Sequence, residues 1–231
     1  MQGNYRILST KDLPVPLLES AARQGLEITV QPFIRIQPVI TTALKQEIHQ
    51  LLQGHKVCVF TSAHAVTSIQ DFAHPTQICC LSGATLEAVS KAFPQAAILT
   101  TAKDATTLAA QIITTGNIPA VLFFCGNQRR DELPDLLTQH GIAVREVTVY
   151  ETIAVQIPLQ AHFDGILFFS PSGVHSYFAA NEAQDNTISF AIGNTTAQAL
   201  KQYTGSIVVN TGKPAAAQLV QTVITYLNKQ D

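Results

Sequence analysis

The sequence predicts an α/β protein built from two similar parallel-sheet domains, and three observations predict it. Short β-rich runs alternate with helical stretches of about 10 to 15 residues, the rhythm of βα units around parallel sheets. The two halves of the chain resemble each other in register. Small and hydroxylated residues follow the strand-like runs, where loops of a parallel sheet lead into helix starts.

Taken in order, strands are expected over residues 6–9, 27–33, 57–61, 77–81, 97–99, 121–125, 144–150, 165–169, 188–192 and 206–209, with helices in most of the gaps. Pro32 and Pro38 bracket one extended stretch, and residues 147–155 form a second that ends before Pro158. Two extended segments predict two crossings between domains. The expected division is residues 1–34 with 156–231 as a discontinuous first domain and 39–149 as the second. Residues 35–38 and 150–155 are the linkers.

The repeat carries this division. VFTSAHAVTSI from Val59 aligns with FFSPSGVHSYF from Phe168, and CCLSGATLEAV from Cys79 with FAIGNTTAQAL from Phe190. Gly83 and Gly193 then stand 110 positions apart, and Lys103 and Lys213 match at the same offset. The opening strand, helix and Gly25-Leu26 return in residues 121–142, at an offset of 116 for Gly25 and Gly141.

At 231 residues the chain suits two domains of roughly 100 to 120 residues. With 46% hydrophobic and only 13% charged residues it fills packed cores and is not disordered. A net charge of −2, with Arg129-Arg130 as the only adjacent basic pair, leaves no electrostatic footprint for nucleic acid. The longest apolar runs, such as 120–125, are far short of the roughly 20 residues of a spanning helix. The first residues lack the basic flank, apolar stretch and cleavage site of a secretory signal, so the cytoplasm is the expected compartment.

Cys58, Cys79, Cys80 and Cys125 all lie in apolar strand-like runs without CxxC spacing and read as reduced core residues. The histidines form no HExxH pair, and His49, His55, His74, His140 and His162 read as surface residues, so no metal is expected. No GxG occurs among the 12 glycines, which disfavours nucleotide cofactors, and no GxSxG elbow is present.

Candidate binding groups sit on the loops that follow the strands. They are Thr61-Ser62, Ser82-Gly83-Ala84-Thr85, Gly126-Asn127, Ser170-Pro171-Ser172-Gly173 and Gly193-Asn194-Thr195-Thr196. Unpaired backbone N–H groups and the helix dipole suit such places to anions. Singly, each loop reads first as a helix N-cap. Together, on two domains, they suit a polycarboxylate. Arg130 and Asp131 read as a local structural pair, and Tyr150, between buried-looking valines, reads alone as packing.

Six motifs in order, FTSAHAV, SGATLEAV, CGNQRRDELPDLL, VTVYET, FFSPSGV and AIGNTTAQAL, resemble those of uroporphyrinogen-III synthases over nearly the full length. The resemblance implies two flavodoxin-like α/β domains joined by a two-stranded linker. It also implies a cofactor-free lyase reaction. Hydroxymethylbilane loses its terminal hydroxyl, ring D attacks through its substituted carbon to give a spiro intermediate, and reclosure yields uroporphyrinogen III. Unassisted closure gives the type I isomer, so catalysis is largely positioning.

The partner implied is this small-molecule substrate, handed over by the upstream deaminase to a monomeric enzyme, with no nucleic acid or membrane involved. Tyr150 matches a residue proposed to assist hydroxyl departure; with a tyrosine's ordinary pKa near 10 it would be a weak acid at neutral pH. Ser62, Ala63, His64, Gly83, Thr85, Asn127, Ser170, Ser172, Gly173, Gly193, Thr195 and Thr196 carry over as substrate contacts. The chain departs from the family at RILSTKDL, where Lys11 is the available basic residue, and at His64, where some members carry Arg. The alternative from a different class is a non-catalytic two-domain protein that binds a small anion.

Overall fold

The computed structural model describes residues 4–54, 57–227 and 229. Along the chain run β1 (Tyr5–Ser9), α1 (Val15–Ala22), β2 (Leu26–Val30), β3 (Ile34–Pro38), α2 (Thr42–Gly54), β4 (Val57–Phe60), α3 (Ala63–Ile69), β5 (Gln77–Leu81), α4 (Ala84–Ala92) and β6 (Ala97–Ala102). They continue as α5 (Ala105–Thr115), β7 (Ala120–Gly126), α6 (Glu132–Gln139), β8 (Ala143–Ala154), β9 (Gly165–Phe168), α7 (Pro171–Phe178), β10 (Ile188–Ala191), α8 (Asn194–Leu200), β11 (Ile207–Val209) and α9 (Ala216–Leu227). The chain divides into two compact units, Met1–Arg35 with Ile153–Asp231, and Ile36–Thr152.

The discontinuous unit holds a five-stranded sheet in the order β2-β1-β9-β10-β11, with parallel pairing throughout. Numbered within the unit this is 2-1-3-4-5, the flavodoxin-like doubly wound order. The continuous unit orders its strands β3-β8-β7-β4-β5-β6, and β8 through β6 are again parallel. Through the sequence repeat, β4, β5 and β6 correspond to β9, β10 and β11, while β7 and β8 correspond to β1 and β2. The second sheet therefore has the order of the first, entered at its third strand.

The expected strand over 27–33 ends at Val30, which is a correction, and the extended stretch between Pro32 and Pro38 is a strand of its own. Pro32 has no N–H to continue the ladder, so β2 ends at Val30 and the chain re-enters extended structure as β3. β3 lies beside β8. The Val39 N–H donates to the Val149 carbonyl at 3.1 Å and the Val155 N–H to the Phe33 carbonyl at 2.9 Å, so the two run antiparallel.

Strand periodicity sorts each sheet's side chains onto two helical layers. In the continuous unit Cys58, Phe60, Ile78, Cys80, Leu122 and Phe124 face one core with Ile48 of α2, Val66 of α3 and Val89 of α4. Their neighbours Val57, Val59, Cys79, Val121, Phe123 and Cys125 face the other, against Leu108 and Ile112 of α5 and Leu133 and Leu137 of α6. In the discontinuous unit Ile7, Leu167 and Phe190 meet α9, and Leu8, Ile166 and Phe168 meet α7 and α8.

All four cysteines are free and buried. Burial raises the Cys58 thiol to about 12 and those of Cys79, Cys80 and Cys125 to about 11, so they pack as neutral small hydrophobes. His49, His74, His140 and His162 are exposed; His55 lies outside the described residues.

Candidate functional site

In a parallel sheet every strand delivers its carboxyl end to the same edge, so the loops after β4, β5 and β7 share one edge of the continuous unit. After β4, Ser62 is extended and caps α3, its Oγ accepting from the His64 N–H at 3.2 Å. Ala63 is half-buried and His64 exposed at the start of that helix. After β5, Gly83 caps α4 with φ +76°, a conformation that favours glycine.

Thr85 is buried at 6% exposure, yet makes no side-chain hydrogen bond. Gln184 Oε1 is the one buried side-chain nitrogen or oxygen left unpartnered among the described residues. The Thr85 hydroxyl is therefore the part of that side chain that reaches the surface.

β7 ends at Gly126, and a register shift between Cys125 and Gly126 pairs Gly126 with Tyr150 of β8 where an even ladder would have placed Val149. Val147 and Val149 are buried as expected, and Tyr150 is half-buried between packing and solvent. Its ring meets the His64 imidazole edge to face, with centroids 5.7 Å apart. Tyr150 and His64, far apart in sequence, thus share one corner of the sheet edge.

Asn127 holds that corner. Its N–H donates to the Tyr150 carbonyl at 3.2 Å, and its Oδ1 accepts from the Thr152 N–H at 2.9 Å. Because the Oδ1 faces a backbone donor, the amide nitrogen faces away from it.

Arg129 forms ion pairs with both Asp131 and Glu146, and these raise its pKa against the opposing effect of burial. This corrects the expected Arg130–Asp131 pair: Arg129 is the partner, and Arg130 is exposed with no ion pair among the described residues. The two carboxylates neutralise Arg129, so it anchors the β7–α6 loop to β8 and is not left free for an anion.

In the discontinuous unit the switch point of the strand order lies between β1 and β9. Ser170 caps α7 by accepting from the Gly173 N–H at 3.1 Å, and its Oγ lies 3.0 Å from Ser172 Oγ. A side chain at Gly173 would come within 3.3 Å of Ser170 Oγ and 3.8 Å of Thr10 Oγ1. Thr10 itself donates to the Leu167 carbonyl at 2.7 Å. Lys11 Nζ stands over the Phe169 ring, 6.0 Å from its centroid, so a cation accompanies the Ser170 loop.

After β10, Gly193 is extended, with open space where a side chain would stand. Thr195 is exposed. Thr196, at 3% exposure, repeats the pattern of Thr85: a buried threonine whose hydroxyl has no hydrogen bond among the described residues and reaches the surface.

Sequence reasoning missed Gly126 as a steric partner of Tyr150, because a register shift leaves no mark on a single strand's composition. Lys103 and Lys213, matched at the 110-residue offset of the repeat, are both exposed in the segments that follow β6 and β11.

Two solved structures share the fold over nearly the whole chain. A uroporphyrinogen-III synthetase from Helicobacter pylori superposes with a TM-score of 0.71 at 16% identity, covering 96% of this chain and 99% of that one. A mutant uroporphyrinogen III synthase from Thermus thermophilus gives 0.68 at 13% identity, covering 98% and 100%. No curated protein sequence matches at comparable significance. At such identities these likenesses establish shared architecture alone. The family model for uroporphyrinogen-III synthase HemD matches residues 16–221, a span that takes in the loops after β4, β5, β7, β9 and β10 together with Tyr150, and the chain belongs to the uroporphyrinogen-III synthase family.

Proposed function

We propose that this chain performs its family's reaction with Tyr150 assisting the departure of the hydroxyl and the strand-end loops holding the substrate's carboxylates. The observation that carries the reading is the family match over residues 16–221. The reaction closes hydroxymethylbilane to uroporphyrinogen III with loss of water, through attack of ring D at its substituted carbon and reclosure of the spiro intermediate.

The protein's task is selective positioning, because the competing uncatalysed closure gives the uninverted isomer. Tyr150 is suited to the chemical step. Its phenol stands at the carboxyl end of β7 beside His64, where it donates a hydrogen bond to the leaving oxygen. In the continuous unit Ser62, Ala63, His64, Gly83, Thr85 and Asn127 contact the substrate. In the discontinuous unit Ser170, Ser172, Gly173, Gly193, Thr195 and Thr196 do so, with Lys11 supplying positive charge. Support comes from the free hydroxyls of Thr85 and Thr196 and from the open space at Gly193.

The enzyme works as a cytoplasmic monomer that takes its substrate from the deaminase before it. No helix among the described residues is long and apolar enough to cross a membrane. Among the described residues the exposed large hydrophobics are Val15, Ile98, Leu99 and Tyr203, few for the contiguous apolar patch of a stable subunit interface.

The deciding experiment supplies freshly generated hydroxymethylbilane to metal-free protein and separates the oxidised uroporphyrin isomers by chromatography. An excess of type III is expected. Type I alone, from folded protein, would transfer the reading to a non-catalytic anion-binding protein. Within an active enzyme, Tyr150→Phe is expected to lower kcat with little change in KM; an unchanged kcat removes the phenol from the mechanism.

A further inference from the structure

We propose that Gly126 is a positioning residue for Tyr150: a missing side chain at the end of β7 leaves the space in which the phenol stands. The inference rests on the synthase reading and on the part given there to Tyr150. Gly126 has no positive φ, so its backbone would accept any residue, and the demand for glycine is steric. A Cβ at this position would lie 2.5 Å from Tyr150 Cε2, 2.5 Å from Cζ and 2.9 Å from the phenolic oxygen. Carbon atoms pack at about 3.5 to 4.0 Å, so the ring would have to retreat by about 1 Å.

The retreat falls on the reacting end of the side chain, because the atoms met are those that carry the hydroxyl. The backbone of Tyr150 has little room to share it. Its carbonyl accepts from the Asn127 N–H, and Asn127 Oδ1 holds the Thr152 N–H two residues on. The ring's swing is limited in turn by the His64 imidazole packed edge to face against it. The register shift between Cys125 and Gly126 is what brings the glycine opposite the tyrosine. Shift, glycine and histidine together fix where the phenolic oxygen stands, and a displacement of this size at a positioned group costs on the order of a hundredfold in rate.

The test compares wild type, Gly126→Ala, Tyr150→Phe and the double variant with hydroxymethylbilane as substrate. Gly126→Ala is expected to lower kcat by the same factor as Tyr150→Phe, on the order of ten- to a hundredfold, with KM changed less than about twofold. The double variant is expected to be no slower than the slower single, since both changes remove one correctly placed hydroxyl. An unchanged kcat for Gly126→Ala, or two losses that multiply in the double variant, overturns the proposal while leaving the synthase reading intact. Type I product alone from wild type overturns the reading itself, and the proposal with it. Should Gly126→Ala alone not fold, the Tyr150→Ala background decides. With the ring gone, the added methyl is expected to leave kcat and Tm unaltered, and a further loss of kcat overturns the proposal.

Discussion

Thr196, 3% exposed with a hydroxyl that has no hydrogen bond among the described residues, loses no intramolecular bond when the hydroxyl is replaced by a methyl. Thr196→Val is therefore expected to keep Tm and to weaken product binding by about 1 kcal/mol, roughly fivefold, measured by titration with uroporphyrinogen III. Unaltered affinity would leave Thr196 a packing residue. Gly83 and Gly193, equivalent in the repeat, should separate. Gly83 sits at φ +76°, so Gly83→Ala is expected to destabilise by about 1 to 2 kcal/mol in urea unfolding. Gly193 is extended with open space around it, so Gly193→Ala is expected to leave stability unchanged. If both variants lose the same stability, the backbone argument for Gly83 fails. Serine, threonine and glycine after a strand were legible in the sequence because capping and anion binding ask for the same residue types. What each hydroxyl does was not, since Ser62 and Ser170 spend theirs on a cap and Thr85 and Thr196 do not.

At the scale of the element, the strands were the most legible part of the fold. A strand buried on both faces leaves an unbroken apolar run, and VCVF, ICCL and VLFFC are such runs. β3 is half-exposed and flanked by prolines, so it lacks that signature and was legible only as an extended stretch between Pro32 and Pro38. The same runs carry the cysteines, and their burial gives a pH dependence. The folded-state pKa of Cys58 is about 12, and those of Cys79, Cys80 and Cys125 about 11, against an ordinary value of 9.0. The folded state then holds protons that the unfolded state has released. Stability from this source is complete below pH 9 and is lost as pH rises from there through 11 to 12. Denaturant midpoints are expected to fall as pH rises from about 9 to 11, and a thiol reagent at about pH 8 should label none of the four thiols until the protein unfolds. Rapid labelling of the native protein would contradict the buried assignment. Packing on the same strands is equally testable. Phe60 and Phe124 stack with centroids 5.3 Å apart and neither is exposed, so Phe124→Ala is expected to cost about 3 to 5 kcal/mol in urea unfolding.

For the whole molecule, the duplicated α/β unit was legible before any fold was known, because matched motifs recur in the same order 109 to 111 positions apart. The order in which the second copy is wound was not. A repeat in sequence gives correspondence between segments, whereas only strand pairing shows that β7 and β8 stand in the second sheet where β1 and β2 stand in the first. That correspondence means residues 36–152 contain every strand position of the 2-1-3-4-5 order without borrowing from either terminus. They also contain a complete helical layer and core on each face of the sheet. An excised fragment of these residues is therefore expected to fold alone and to melt in a single cooperative transition. It should retain the Tyr150–His64 contact and produce no type III isomer, because the substrate contacts proposed at Lys11 and in the loops after β9 and β10 are absent. The discontinuous unit cannot be excised as one continuous segment, since its first two strands are separated in sequence from the other three by the entire second unit. Circular dichroism and thermal unfolding of the fragment check the first expectation. A fragment without a cooperative transition would mean that the continuous unit, despite its complete sheet and two cores, depends on the rest of the chain for its stability.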